Sequence, residues 1–257
     1  SVPNIDGILK INLEKKINLV LNKEQNIIYN KLINSFKTNS LTPVLLSGVP
    51  GSGKTMVYTK IIESYLQKNK QIIVLVPEIS LIQKTYQELN SYYPNIVGVW
   101  HNKLNQSEKN YVLEGIKFDR LQIIVSTRSG LFMPFRKLGL IIVDEEQENS
   151  YKQDLNTPYY HAKDVALMRA KFSKSPILLV SSVPSVETYY NIKKGKYYNY
   201  ELKKSYFQKN PPKVKLINMS NQKGILSNIL IKSIKDTLNK KEQIIILQNK
   251  KGLSGTG

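Results

Sequence analysis

Cysteine is absent from this chain of 257 residues, and histidine occurs only as His101 and His161. Disulfides and thiolate zinc sites are thereby excluded, and two imidazoles alone do not make a zinc centre. No zinc is expected, and metal chemistry must run through oxygen ligands. Long apolar runs are missing too. The strongest, residues 140–143 and 244–247, fall far short of the roughly 20 residues that span a bilayer. The first residues lack a basic segment followed by an apolar one, so nothing directs secretion. The expected location is the cytoplasm, with no membrane contact. Arginine is scarce as well, at four of the 38 basic residues.

What is abundant is lysine. The formal net charge is +19, which suits nucleic acid because cations release counterions from phosphate. The lysines are nevertheless spread along the whole chain, and the surplus of Lys, Asn and Ile also fits AT-rich coding. Charge alone does not decide between these readings.

From residue 44 onward, short β-branched runs alternate with segments of helical period. The runs at 44–46, 72–76, 123–126, 140–143 and 177–180 predict strands of βαβ units around a buried parallel sheet. After Lys54, the residues Val57, Ile61, Ile62, Tyr65 and Leu66 fall on one helical stripe, a face for packing on that sheet. A helix is expected over 23–36. Residues 1–20 read as a lead-in and 21–205 as one α/β domain. After Pro211-Pro212 a strand (214–217), a helix (226–238) and a strand (243–247) are expected, making 206–257 the opening of a second, incomplete lobe.

The strongest chemical signal is Gly48-Val49-Pro50-Gly51-Ser52-Gly53-Lys54-Thr55, which satisfies G-x-x-x-x-G-K-[ST] between a predicted strand and a predicted helix. Glycines let backbone N–H groups turn inward around phosphate, and the helix N-terminus adds its positive end. Lys54 then reaches the β- and γ-phosphates of ATP, and the Thr55 hydroxyl ligates Mg²⁺. A second signal is the apolar run 138–143 ending in Asp144, Glu145, Glu146 and Gln147. Asp144 is placed to join Thr55 at Mg²⁺, and Glu145 to orient or deprotonate the attacking water.

In order along the chain, GVPGSGKTMVY (48–58), VPEISL (76–81), TRSGLFMPF (127–135), LGLIIVDEEQENSYKQ (138–153), YHAKD (160–164) and PSVET (184–188) resemble the successive motifs of the PriA family of primosomal replication-restart helicases, within superfamily 2. The resemblance implies a RecA-like P-loop NTPase lobe and ATP-driven 3′-to-5′ DNA unwinding. It implies single-stranded or forked DNA as the partner, and it extends to other primosome proteins. By the same resemblance Gln25 reads the adenine edge. Glu78, Thr127 and Arg128 contact the DNA backbone. Tyr151, Lys152 and Tyr160 belong to an aromatic-rich loop that couples DNA to hydrolysis by stacking bases.

Two of these motifs depart from the family pattern. Gln147 stands where the family has His, which bears on coupling to DNA. Ser181-Ser182-Val183-Pro184-Ser185 replaces Ser-Ala-Thr-Pro-Ser, so a methyl replaces a hydroxyl at Val183, which bears on unwinding. The family's N-terminal DNA-binding region, zinc cysteines and second-lobe arginine finger have no counterpart in this sequence. Since such a finger is worth about 10³ to 10⁵ in rate, the chain by itself is expected to bind ATP and hydrolyse it slowly. The alternative reading is a non-catalytic remnant that binds nucleotide and DNA.

Overall fold

The structure, a computed structural model, describes residues 19–38, 41–154, 157–205, 213–220 and 226–247. The chain divides into two compact units, residues 1–209 and 210–257. In the first, helix α1 (Lys23–Thr38) precedes β1 (Val44–Gly48), α2 (Lys54–Leu66), β2 (Gln71–Leu75), α3 (Ile79–Tyr92) and β3 (Val97–Trp100). There follow α4 (Gln106–Lys117), β4 (Ile123–Ser126), β5 (Leu138–Val143), the short strands β6 (Lys152–Gln153) and β7 (Tyr160–His161), α5 (Ala162–Ser173), β8 (Ile177–Ser181), α6 (Val186–Lys193) and β9 (Tyr198–Leu202). Single turns of 3₁₀ helix cover Arg128–Phe132 and Asn149–Tyr151.

Seven strands form one sheet in the order β3-β4-β2-β5-β8-β1-β9, and every pairing in it is parallel. The five predicted strands are β1, β2, β4, β5 and β8. They occupy the middle of the sheet and are buried along their whole lengths, as expected where both faces are covered. Alternation splits them between two cores. Val44, Leu46, Ile72, Val74, Ile142 and Val180 face a layer built from α1, α2 and α3. Leu45, Ile73, Leu75, Ile141, Val143 and Leu179 face α5, whose small Ala162, Ala166 and Ala170 let it lie close. The predicted stripe on α2 holds, with Val57, Ile61, Ile62 and Tyr65 buried and Leu66 partly so. The result is the expected three-layer α/β lobe.

The two edge strands, β3 and β9, are absent from the sequence expectation. Each has one neighbour, so VGVW and YNYEL carry Gly, Asn and Glu and lack the apolar run that marks the central strands.

In the second unit, helix α7 (Asn228–Asn239) appears near its predicted place, capped by the Ser227 hydroxyl on the Leu230 N–H. The strands expected at 214–217 and 243–247 are not strands. Among the described residues nothing pairs with them, and Leu216, Ile245 and Leu247 stand more than 90% exposed. A run of strand formers without a neighbour has no ladder to join. The lead-in up to residue 18, the Pro211-Pro212 step and residues 248–257 lie outside the described residues.

Candidate functional site

In a parallel sheet the carboxyl ends of the strands share one edge, where ligands characteristically bind. Here β1 delivers the Gly-rich loop, β5 delivers Asp144, β8 delivers Ser181, and β2 and β4 lead into Pro77-Glu78 and Thr127-Arg128. Strand β8 lies between β1 and β5, separating the loop from the acids by one strand. That spacing leaves a cavity of about 600 Å³ lined by Gly51, Lys54, Thr55, Asp144, Glu145 and Ser182.

The loop after β1 is shaped by its glycines. Gly53 ends the loop at φ +81°, a left-handed conformation that costs other residues about 1–2 kcal/mol, and a Cβ there would collide with the Gln25 amide. A Cβ on Gly48 would meet the Leu202 carbonyl at 2.8 Å. Helix α2 begins at Lys54 and points its free N–H groups back at the loop. The Lys54 ammonium donates to the Gly48 carbonyl and to the Ser182 hydroxyl, both at 2.8 Å. Burial lowers the Lys54 pKa, opposed by Glu145 and Asp144.

Asp144 accepts from the Glu145 N–H at 3.0 Å and from the Tyr58 hydroxyl at 3.2 Å. Burial, and then the Glu145 charge, push its carboxyl up to about 6. A carboxylate in this condition is relieved by a nearby cation. Glu145 has φ +47°, a strained value for a non-glycine residue, and such strain concentrates at functional sites. Glu145 is fixed from both sides. The Glu146 N–H donates to Val180 and the Glu148 N–H to the Glu145 carbonyl, each at 3.0 Å. The Gln147 amide donates to Glu145 at 2.9 Å while its oxygen accepts from Ser181 at 2.6 Å. Gln147, the departure from the family's His, thus bridges the acids to the end of β8. Val183, the other departure, is 71% exposed, and hydroxyls at Ser181 and Ser182 take up the contacts with Gln147 and Lys54.

Behind these residues lies a network that sequence reasoning missed. The Glu146 side chain is fully buried and pairs with Lys163 of α5 at 2.8 Å. Ser185 and Thr188 donate hydroxyls to the same carboxylate at 3.0 and 2.8 Å, and the Ser185 N–H donates at 2.8 Å. Partners 17 to 42 positions away leave no local signature. Tyr58 was discoverable, since it lies one helical turn beyond Lys54 on the same face.

Two expected roles are corrected. Gln25 is fully buried. Its amide donates to the Ser52 carbonyl at 3.0 Å and its oxygen accepts from Asn22 at 3.0 Å, so it buttresses the loop and presents no edge to a base. Tyr151 is also fully buried, with its hydroxyl 3.0 Å from the Leu75 carbonyl and 2.6 Å from that of Asp144. Its ring packs in the core, leaving no face on which a base could stack.

Of the remaining expected DNA contacts, Glu78, Thr127 and Arg128 follow the same strand ends, and Lys152 and Tyr160 lie in the separate β6–β7 pair. Glu78 is exposed at the start of α3, and Thr127 and Arg128 open the 3₁₀ turn after β4. One Arg128 nitrogen is committed to the carbonyls of Ser150 and Lys152, at 3.0 and 2.7 Å. Lys152 is mostly exposed. Tyr160 packs edge-on against Phe132 with 5.7 Å between ring centroids. No helix among the described residues is long and apolar enough to cross a membrane.

Residues 18–184 match the family described as type III restriction enzyme, res subunit. The chain is similar to the replication restart protein PriA of Rickettsia felis, 38% identical over 214 residues, covering 82% of this chain and 33% of that protein. Similarity to the Bacillus subtilis PriA is 36% over 241 residues, covering 92% of this chain and 30% of the relative. The chain therefore spans about a third of the length of these relatives. Among solved structures, RecG bound to a three-way DNA junction shares the fold with a TM-score of 0.54 at 19% identity, covering 77% of this chain and 25% of that one. The helicase MrfA bound to DNA does so with a TM-score of 0.53 at 15% identity, covering 72% and 27%.

Proposed function

Because this chain belongs to the family described as type III restriction enzyme, res subunit, and is a PriA-like RecA-like lobe of superfamily 2 within it, we propose that it is the ATP-binding motor lobe of a DNA helicase acting in replication restart. The observation that carries the reading is the shared cavity lined by Lys54, Thr55, Asp144 and Glu145. Those side chains come from two stretches about 90 residues apart, and an ATP-dependent motor needs them together.

The residues present fit ATP with Mg²⁺. The Gly-rich loop and Lys54 line the cavity where phosphates would lie, with Gly48 and Gly53 letting Leu202 and Gln25 pack closely against the loop. The desolvated Asp144 carboxylate, which lines the same cavity as Thr55, offers hard oxygen donors that suit Mg²⁺. When bound, the nucleotide and its metal supply the phosphoanhydride and the charge that polarises it. The chain's own part is to bind and orient. Lys54 leaves its neighbours for the phosphates, Thr55 and Asp144 hold the cation, and Glu145 positions water, held by Gln147. Glu78, Thr127 and Arg128, after the ends of β2 and β4, and Lys152 and Tyr160, in the β6–β7 pair, are the residues that would contact single-stranded or forked DNA. Translocation from 3′ to 5′, contact with other primosome proteins, and residues 206–257 as the opening of a second lobe belong to the same proposal.

The test is linkage between the two ligands. Affinity for a labelled single-stranded oligonucleotide is measured by anisotropy with and without a non-hydrolysable ATP analogue and Mg²⁺. A coupled motor lobe changes its DNA affinity by about 5-fold or more, and Lys54→Ala abolishes the change. DNA affinity indifferent to nucleotide, or no DNA affinity at all, overturns the reading.

A further inference from the structure

Phe132 closes the 3₁₀ turn after β4 and is 63% exposed, although Leu131 before it and Met133 after it are 1% and 2% exposed. An exposed phenylalanine alone is ordinary. What distinguishes this one is how firmly its backbone is held. The Arg169 guanidinium, on α5, donates one nitrogen to the Leu131 carbonyl at 2.7 Å and the other to the Met133 carbonyl at 2.9 Å, clamping the chain on both sides of Phe132. Arg128, in the same turn, ties the carbonyls of Ser150 and Lys152 to it, and Lys152 and Gln153 pair with His161 and Tyr160. Two of the chain's four arginines are thus committed to fixing one small surface. The Tyr160 ring meets Phe132 nearly perpendicular, at 87°, so Phe132 is braced at its side. Tyr159, next to it, is 68% exposed, and the Lys152 side chain is 62% exposed.

We propose that Phe132 is a stacking platform for one unpaired base of a single-stranded nucleic acid, with Tyr160 as its brace and Arg169 and Arg128 as positioning residues. The inference rests on the DNA-binding reading above and assigns the contact to a ring outside the 151–160 stretch. The physical case is preorganisation. A ring already immobilised loses little further conformational freedom on binding. An aromatic face accepts any base, and nearby cations hold the backbone without reading sequence. Tyr151, buried beneath the same loop, is unavailable for this work.

The experiment uses the full chain and two oligonucleotides of equal length, one of thymidines and one with abasic sites throughout. The unchanged chain should prefer the thymidine oligonucleotide. Phe132→Ala should weaken its binding by about 5- to 100-fold and bring it to the abasic level, whereas Phe132→Trp should restore it. The fluorescence of the indole introduced by Phe132→Trp, read in a Trp100→Phe background, should be quenched by thymidines and not by abasic DNA. Equal affinity of the unchanged chain for both oligonucleotides overturns the platform while leaving the DNA reading intact. So does full binding by Phe132→Ala, or loss of binding that Phe132→Trp does not restore. No affinity for either oligonucleotide sinks both.

Discussion

Two loops on the same edge of the sheet are built by opposite means. The loop after β1 takes most of its shape locally, from glycines and the start of α2 within eight consecutive residues, with Gln25, Leu202 and Ser182 as its distant contacts. The stretch after β5 adds to its own short-range turns a larger set of ties from afar, to Tyr58, Ser181, Lys163, Ser185 and Thr188. A loop that must wrap phosphate identically each time gains from local geometry. A loop whose acids must respond to the rest of the motor gains from being tied to other elements. The comparison predicts that distant substitutions disturb the acids and spare the glycine cradle.

The largest effect is expected from Lys163→Met, which strands the Glu146 carboxylate in the core. Breaking a buried pair from one side costs about 3–5 kcal/mol, so urea denaturation should show a loss of that order. Adding Glu146→Gln should recover a large part of it. A loss under about 1 kcal/mol would mean that the network does not hold the acid loop, and the contrast between the two loops would collapse.

A smaller effect separates the loops by pH. The Asp144 carboxyl sits at about 6, against an ordinary 3.8. Well below pH 3.8 it is protonated in both the folded and unfolded chain. As pH rises through 6 the folded state must carry a buried charge that the unfolded state carries freely, so this contribution to stability is lost. Asp144→Asn should therefore be the more stable protein above pH 6, by on the order of 3 kcal/mol, with the gap closing as pH falls toward 4 and below. A gap independent of pH between 4 and 7 would show that desolvation of Asp144 is not its cause.

How much of this was legible in the sequence follows from the same contrast. The central strands declared themselves because burial on both faces demands uninterrupted Val, Ile and Leu. The edge strands did not, because one-sided pairing tolerates the Gly of VGVW and the Asn and Glu of YNYEL. The residues at 214–217 and 243–247 read as strands because composition reports propensity, whereas a strand also needs a neighbour. Lys54, Thr55, Asp144 and Glu145 were found by pattern and lie around one cavity. Gln25 and Tyr151 were named for the right neighbourhood and the wrong duty, since a motif fixes which element carries a side chain and burial decides what that side chain can touch. Glu146, Lys163 and Thr188 stand inside the quoted motifs, but their contacts with one another were not legible because they join residues 17 to 42 positions apart that meet only in the fold.

The most direct test of the central claim, that these two loops make one site for a metal-bound nucleotide, is calorimetric titration of the chain with ATP, with and without Mg²⁺. The account predicts one site per chain, tighter binding when Mg²⁺ is present, and loss of binding in Lys54→Ala. ATP bound equally well without Mg²⁺, or unchanged in Lys54→Ala, would contradict it.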